Sequence, residues 1–150
     1  MLQRIQTVFL LLITVFSVLQ LFVPFQTITT YESTLMLYLS PATYNATTQP
    51  IIHLPLVICL LITLLSLITI FMYKKRSLQM KLCTLIALLS FALTASLFLF
   101  TYAKLEENHE TMISYNIAAF IPLINIILAF IAKRFIKKDD ELVKSADRIR

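Results

Sequence analysis

Residues 82–102, LCTLIALLSFALTASLFLFTY, decide the fold, because they run from one end to the other without an Asp, Glu, Lys or Arg. A bilayer core is roughly 30 Å thick and requires about 20 apolar residues per spanning helix, so this stretch is long enough to cross once. Three more stretches share its length and lack of charge, which places the predicted spans at about 5–23, 51–73, 82–102 and 113–132.

Composition supports a membrane protein over a soluble one. The hydrophobic fraction is 59% and the mean hydropathy is +0.84, whereas a soluble domain is roughly 45–50% apolar. The connections predicted on the side of the two termini are short, as in an antiparallel bundle. We therefore predict an all-α membrane protein with a single domain, residues 1–150, in which four helices form that bundle. No small-x-small cleavage site follows the first stretch, so we expect an uncleaved span and not a signal peptide.

The charges are divided between the two ends of the predicted bundle. The segment before the first span, the turn 74–81 and the tail 133–150 together hold 12 basic and 4 acidic residues, whereas the other two loops hold 1 basic and 4 acidic residues. Since short loops rich in Lys and Arg stay in the cytoplasm, both termini are predicted to be cytoplasmic. Basic residues beside a membrane set topology and attract anionic lipid, so lipids, and not nucleic acid, are the expected partner.

Packing within the bundle must use small residues, because the chain contains no Gly. The clearest stripe follows a left-handed packing seam with spacings of 4, 3, 4 and 3, and it comprises Ala118, Pro122, Asn125, Ala129 and Ala132. Gln20 and Asn125 are the two side-chain amides at membrane depth. The structural interpretation is a hydrogen bond between helices, and the functional one is a polar point on a substrate path.

Nothing in the sequence has the spacing of a metal or redox centre. Cys59 and Cys83 are predicted to differ in depth by roughly 20 Å, which is too far for a disulfide. His53 and His109 fall on the same side, but no HxxxH, HExxH or CxxC pattern accompanies them. We therefore expect no catalytic, cofactor-binding or metal-binding residue.

Two segments outside the spans carry further predictions. In the first outer loop, 24–50, residues 25–31 and 35–39 are rich in Thr, aromatic and apolar residues, which favours a short strand pair. This loop either caps the bundle or contacts another protein. The tail is predicted to form a short separate cytoplasmic helix capped by Asp139, either as a solvated helix or as a docking helix for a cytoplasmic partner.

Three segments on the predicted cytoplasmic side carry a family resemblance. The opening MLQRIQT (1–7), the turn KKRSLQMKL (74–82) and the ending DDELVKSADRIR (139–150) resemble the DUF4293 family of small four-span proteins from Bacteroidetes. The resemblance implies the bacterial inner membrane. The family has no established activity, so it transfers no site residue to this chain.

The polar groups in and around these segments converge on the predicted cytoplasmic face, where Arg or Gln side chains can bond Asp147 or the carbonyls at helix ends. They form a candidate interaction surface of Arg4, Gln6, Arg76, Gln79, Asp147, Arg148 and Arg150. We therefore expect a non-enzymatic accessory or scaffold subunit of an inner-membrane assembly; a homo-oligomer stays open. The alternative is a small transporter or a lipid- or small-molecule-binding protein that uses Asn125, Gln20 and the first outer loop.

Overall fold

The structure, a computed structural model, describes residues 2–29, 34–39, 53–73, 75–107 and 112–147. Its four long helices are α1 (Leu2–Phe22), α2 (His53–Phe71), α3 (Arg76–Glu107) and α4 (Ile121–Asp147). Each is long and apolar enough to cross a membrane. The prediction of four helices with the length and composition to span a membrane is therefore confirmed, which supports a multi-pass membrane protein.

Neighbouring helices run in opposite directions, since their contacts join early residues of one helix to late residues of the next. Each helix packs on two others, in the cyclic order α1, α2, α3, α4. The contacts that give the direction are Ser17 to Cys59 and Thr14 to Ser66 between α1 and α2, and Gln79 to Thr69 between α3 and α2. Between α3 and α4 they are Thr84 to Lys133 and Arg76 to Asp139. Between α1 and α4 they are Gln6 to Phe135 and Ser17 to Asn125.

Most apolar side chains of the helices face outward. Only 28% to 39% of each spanning window is buried, so the greater part of these apolar surfaces is available to lipid. The buried minority forms one core along the bundle axis. Its fully buried large apolar residues are Leu10, Ile13, Ile62, Ile86, Leu93 and Ile136 from the helices, with Leu39 from the first loop.

The predicted small-residue seam is buried along its whole length. Ala118, Asn125 and Ala132 are each 0% exposed, and Pro122 and Ala129 between them are also buried. The seam begins before α4, because Ala118 lies in a short 3-10 helix, Ile117–Ala119. Pro122 is the second residue of α4, where a missing N–H costs nothing.

A small sheet closes the end of the bundle opposite the connection between α2 and α3. The predicted strand pair is confirmed as β1 (Gln26–Thr29) and β2 (Thr34–Leu37). A third strand, β3 (Met112–Tyr115), pairs with the other edge of β1. Residues from 113 were predicted to begin the fourth span; instead they form this strand, and α4 starts at Ile121. An uncharged stretch does not by itself distinguish strand from helix.

The described part of the first outer loop caps the bundle. Phe25, Leu37 and Leu39 are buried in the same core as the helices. The cap is joined to the segment before α4 by Asn116, whose Nδ2 donates to Thr27 Oγ1 at 2.9 Å. Of the two alternatives for this loop, the described residues therefore take the capping role.

The tail does not form a separate helix. α4 continues without a break to Asp147, so Asp139 lies inside a helix and does not cap one. No Gly or Pro follows Pro122, and two pairs at i,i+4 spacing support the extension. Lys137 lies 3.8 Å from Glu141, and Lys144 lies 2.6 Å from Asp140.

Candidate functional site

All basic residues in the described part of the chain except Lys104 gather at one end of the bundle. We call this the basic end and define it by Lys75, Arg76 and Lys81 near the start of α3 and Lys133, Arg134, Lys137 and Lys138 on α4. The start of α1 lies here too, because Gln6 contacts Phe135. The predicted interaction surface therefore has its described residues at one end of the fold, and the contacts of each decide what it does.

Gln79 ties the beginning of α3 to the end of α2. Its side chain is buried, and Nε2 donates to the carbonyl of Thr69 at 3.2 Å. Thr69 belongs to the last turn of α2, where carbonyls have no partner within the helix. The bond is the predicted one between a Gln and a helix-end carbonyl, and it stabilises the turn between the two helices.

Gln6 joins α1 to α4 by a bond from its side-chain amide to a backbone carbonyl inside α4. It is buried, and Nε2 donates to the Phe135 carbonyl at 3.2 Å. One turn further along α1, the ring of Phe9 stacks on that of Phe135 with centroids 5.6 Å apart, a distance that favours aromatic pairing. Gln6 and Gln79 were predicted as parts of an interaction surface; in the structure both amides point inward, where they bond to the chain itself.

Arg76 and Asp139 connect α3 to α4 near the protein surface. Arg76 Nη2 lies 3.1 Å from Asp139 Oδ2. The two atoms form an ion pair, but their geometry is not that of a hydrogen bond. Their side chains are 22% and 15% exposed, so the pair is partly shielded from water. The sequence suggested Asp147 as a partner for Arg or Gln, but its side chain lies outside the described part of the structure; the described acidic partner of Arg76 is Asp139. Deeper in the bundle, Lys133 Nζ donates to Thr84 Oγ1 at 2.8 Å.

Four of the predicted surface residues cannot be placed by their side chains. Arg148 and Arg150 lie outside the described residues. For Arg4 and Asp147 the structure describes only the helical backbone.

The basic end carries a cleft on α4 that the sequence analysis did not identify. Its volume is about 650 Å³, and its lining is Ile131, Arg134, Phe135, Lys137, Lys138 and Glu141. Within the described chain, Arg134 and Lys138 form no ion pair or hydrogen bond. The signal was present in the sequence: basic residues at helical spacing directly after the apolar face of the same helix.

Ser17 is the point at which three helices meet at membrane depth. Asn125 Nδ2 on α4 donates to its Oγ at 3.1 Å, and Cys59 Sγ on α2 donates to its carbonyl at 3.3 Å. Asn125 is 0% exposed. It therefore forms the interhelical hydrogen bond of the structural interpretation and is closed off from solvent.

Gln20 is the least satisfied polar side chain of the described interior. It is 0% exposed, and neither atom of its amide has a hydrogen-bond partner in the structure. Asn125 Oδ1 lacks one as well. Ser17 and Gln20 are three residues apart, so they lie on the same face of α1. A second polar contact between helices joins half-buried Thr14 to buried Ser66, whose Oγ shares a hydrogen bond of 2.8 Å with Thr14 Oγ1 between α1 and α2.

The two cysteines do not form a disulfide, and both are buried as free thiols. Among the described residues, no group of three or more His, Cys, Asp or Glu has the arrangement of a metal site.

One family model matches the chain, and it covers residues 2–149. The family is described as a domain of unknown function, DUF4293. No curated protein matches the chain. No solved structure matches it either.

Proposed function

The chain belongs to the DUF4293 family, a domain of unknown function, and we propose that it is a non-enzymatic accessory or scaffold subunit of a bacterial inner-membrane assembly. The observation that carries this proposal is the sealed state of Asn125, which is fully buried and bonded to Ser17. Transport paths and membrane active sites use polar groups that reach water or substrate. Here Asn125 and Ser17 use their polar groups to hold α4 and α1 together at membrane depth.

The alternative, a small transporter or a lipid- or small-molecule-binding protein that uses Asn125, Gln20 and the first outer loop, requires these groups to be accessible. The burial of both amides and the packing of Phe25 and Leu39 into the core count against it. A rigid bundle with an outward apolar surface is instead suited to lateral contact with other membrane proteins.

Purification of the tagged full-length chain from its native host, in a mild detergent after brief crosslinking, tests the scaffold proposal. We expect a second membrane protein to co-purify in a fixed ratio. The same ratio should be found without crosslinker when the detergent concentration is low. A parallel preparation of an unrelated four-span protein with the same tag controls for background. Recovery of this chain only as a lone monomer or homodimer would overturn the proposal.

The proposal also places the basic end, and with it both termini, in the cytoplasm. The excess of Lys and Arg at this end supports that orientation, and the even number of antiparallel spans brings both termini to one side. Ser77 at the basic end and Thr34 in β2 are both exposed, so each can carry a probe without disturbing the core.

A thiol-labelling experiment measures this orientation. Ser77→Cys and Thr34→Cys are treated separately with a membrane-impermeant maleimide in spheroplasts, before and after lysis. We expect Thr34→Cys to react in intact spheroplasts and Ser77→Cys only after lysis. The unsubstituted chain is the control, because its own thiols are buried. The reverse labelling pattern would refute the orientation.

A further inference from the structure

The exposed face of α4 changes from apolar to basic along the length of the helix. Ile127 and Phe130 are 60% and 56% exposed, and Arg134 follows them at spacings of three and four residues, on the same side of the helix. Lys137, Lys138 and Glu141 continue this side beyond Arg134. An apolar, outward-facing stripe thus leads directly into the cleft at the basic end.

The dimensions of this line match one leaflet of a bilayer. Ile124, which is also exposed, lies ten residues before Arg134, or about 15 Å along the helix at 1.5 Å per residue. Half of a hydrocarbon core of roughly 30 Å is the same length. An acyl chain lying on the stripe would therefore bring its headgroup to the level of Arg134.

The cleft has the chemistry of a phosphate site with an apolar floor. Three basic side chains and one acidic side chain line it beside Ile131 and Phe135. Lys137 has a contact with Glu141 at 3.8 Å in which both side chains are more than 60% exposed, so this pair is weak and leaves the Lys available. Within the described residues Arg134 and Lys138 form no ion pair or hydrogen bond, so both cations are available to an anionic ligand.

We propose that this cleft binds the headgroup phosphate of one anionic phospholipid, whose acyl chain lies along Ile127 and Phe130. Basic pockets at the membrane surface of helical proteins recognise anionic headgroups in this way. The apolar stripe favours a lipid over free phosphate as the occupant, because soluble phosphate would use only the basic half of the site. The proposal goes beyond the scaffold role and does not depend on it.

Lipid titration of the purified full-length chain, read by native mass spectrometry, tests the site. The probes are dioleoylphosphatidylglycerol and dioleoylphosphatidylcholine, which share acyl chains and differ in headgroup charge. We expect the anionic lipid to bind at least tenfold more tightly. Equal affinities for the two lipids would overturn the proposal.

Two charge-matched triple variants separate a built site from diffuse attraction. Arg134→Gln with Lys137→Gln and Lys138→Gln removes the cleft cations, whereas Lys75→Gln with Lys81→Gln and Lys144→Gln removes three exposed cations elsewhere at the same end. At about 1 kcal/mol, or fivefold, per basic residue, the cleft variant should lose on the order of a hundredfold in affinity for the anionic lipid. The control should stay within about threefold, and equal losses in both variants would refute the site.

Two further arms keep the result clear if the triple variant folds poorly. Glu141→Gln removes the one acidic group among the described lining residues and should strengthen binding of the anionic lipid about fivefold; weaker binding would contradict the proposal. Inorganic phosphate and glycerol 3-phosphate at millimolar concentration should leave the bound lipid in place. Displacement by either would identify a site for soluble phosphate instead.

Discussion

Replacing Ala132 by Leu should destabilise the bundle by about 2–3 kcal/mol, the upper part of the range for inserting methylene groups into a packed core. Ala132 is 0% exposed. Around the circumference of α4 it lies between two contact residues. Lys133 on one side bonds to Thr84 of α3, and Phe135 on the other stacks on Phe9 of α1. A larger side chain at this position would push against both neighbouring helices, and the seam has no Gly to yield space.

The two native thiols provide the measurement. Cys59 and Cys83 are buried on α2 and α3, so a fluorogenic thiol reagent reports the loss of packing during a thermal or denaturant titration in detergent. Ala92→Leu is the matched control: it adds the same atoms at an exposed position of α3, and its effect should stay within about 0.5 kcal/mol. Similar effects of the two substitutions would mean that α4 does not pack through this seam.

The number of spans could be predicted from the sequence because it depends on the lack of charge over about 20 residues, which is a local property. The seam followed from the same kind of local information, the spacing of small residues on one helix. Both boundary errors came from non-local facts. Residues 112–115 become a strand because β1, far away in sequence, offers a free edge, and Asp139 stays within α4, where Arg76 of α3 pairs with it.

The site residues were chosen by chemical type, and type does not determine which way a helix turns. Gln6 and Gln79 are polar enough to suggest a surface, yet both point inward to carbonyls of neighbouring helices. The cleft was missed for the opposite reason. Arg134, Lys137 and Lys138 were interpreted only as topology signals, and their position below an exposed apolar stripe became clear once the rotation of α4 was known.

The amide of Gln20 leads to an expected gain of stability. An amide buried without a partner costs roughly 1–3 kcal/mol, and neither of its polar atoms is bonded in the structure. Gln20→Met keeps an unbranched side chain of similar length and removes both atoms. We therefore expect the free energy of unfolding to rise by about 1–2 kcal/mol, measured with the same thiol reagent.

Asn125→Val is the matched comparison, since it changes the other amide at membrane depth. It removes the 3.1 Å bond from Asn125 to Ser17, and hydrogen bonds between membrane helices contribute about 0.6–1.7 kcal/mol. We expect this variant to lose stability by that amount, opposite in sign to Gln20→Met. If Gln20→Met also lowers stability by 1 kcal/mol or more, the Gln20 amide is satisfied by a bound molecule within the bundle, and the case for a sealed, purely structural interior fails. Opposite signs would show that one buried amide holds the helices together while the other is a cost the fold tolerates.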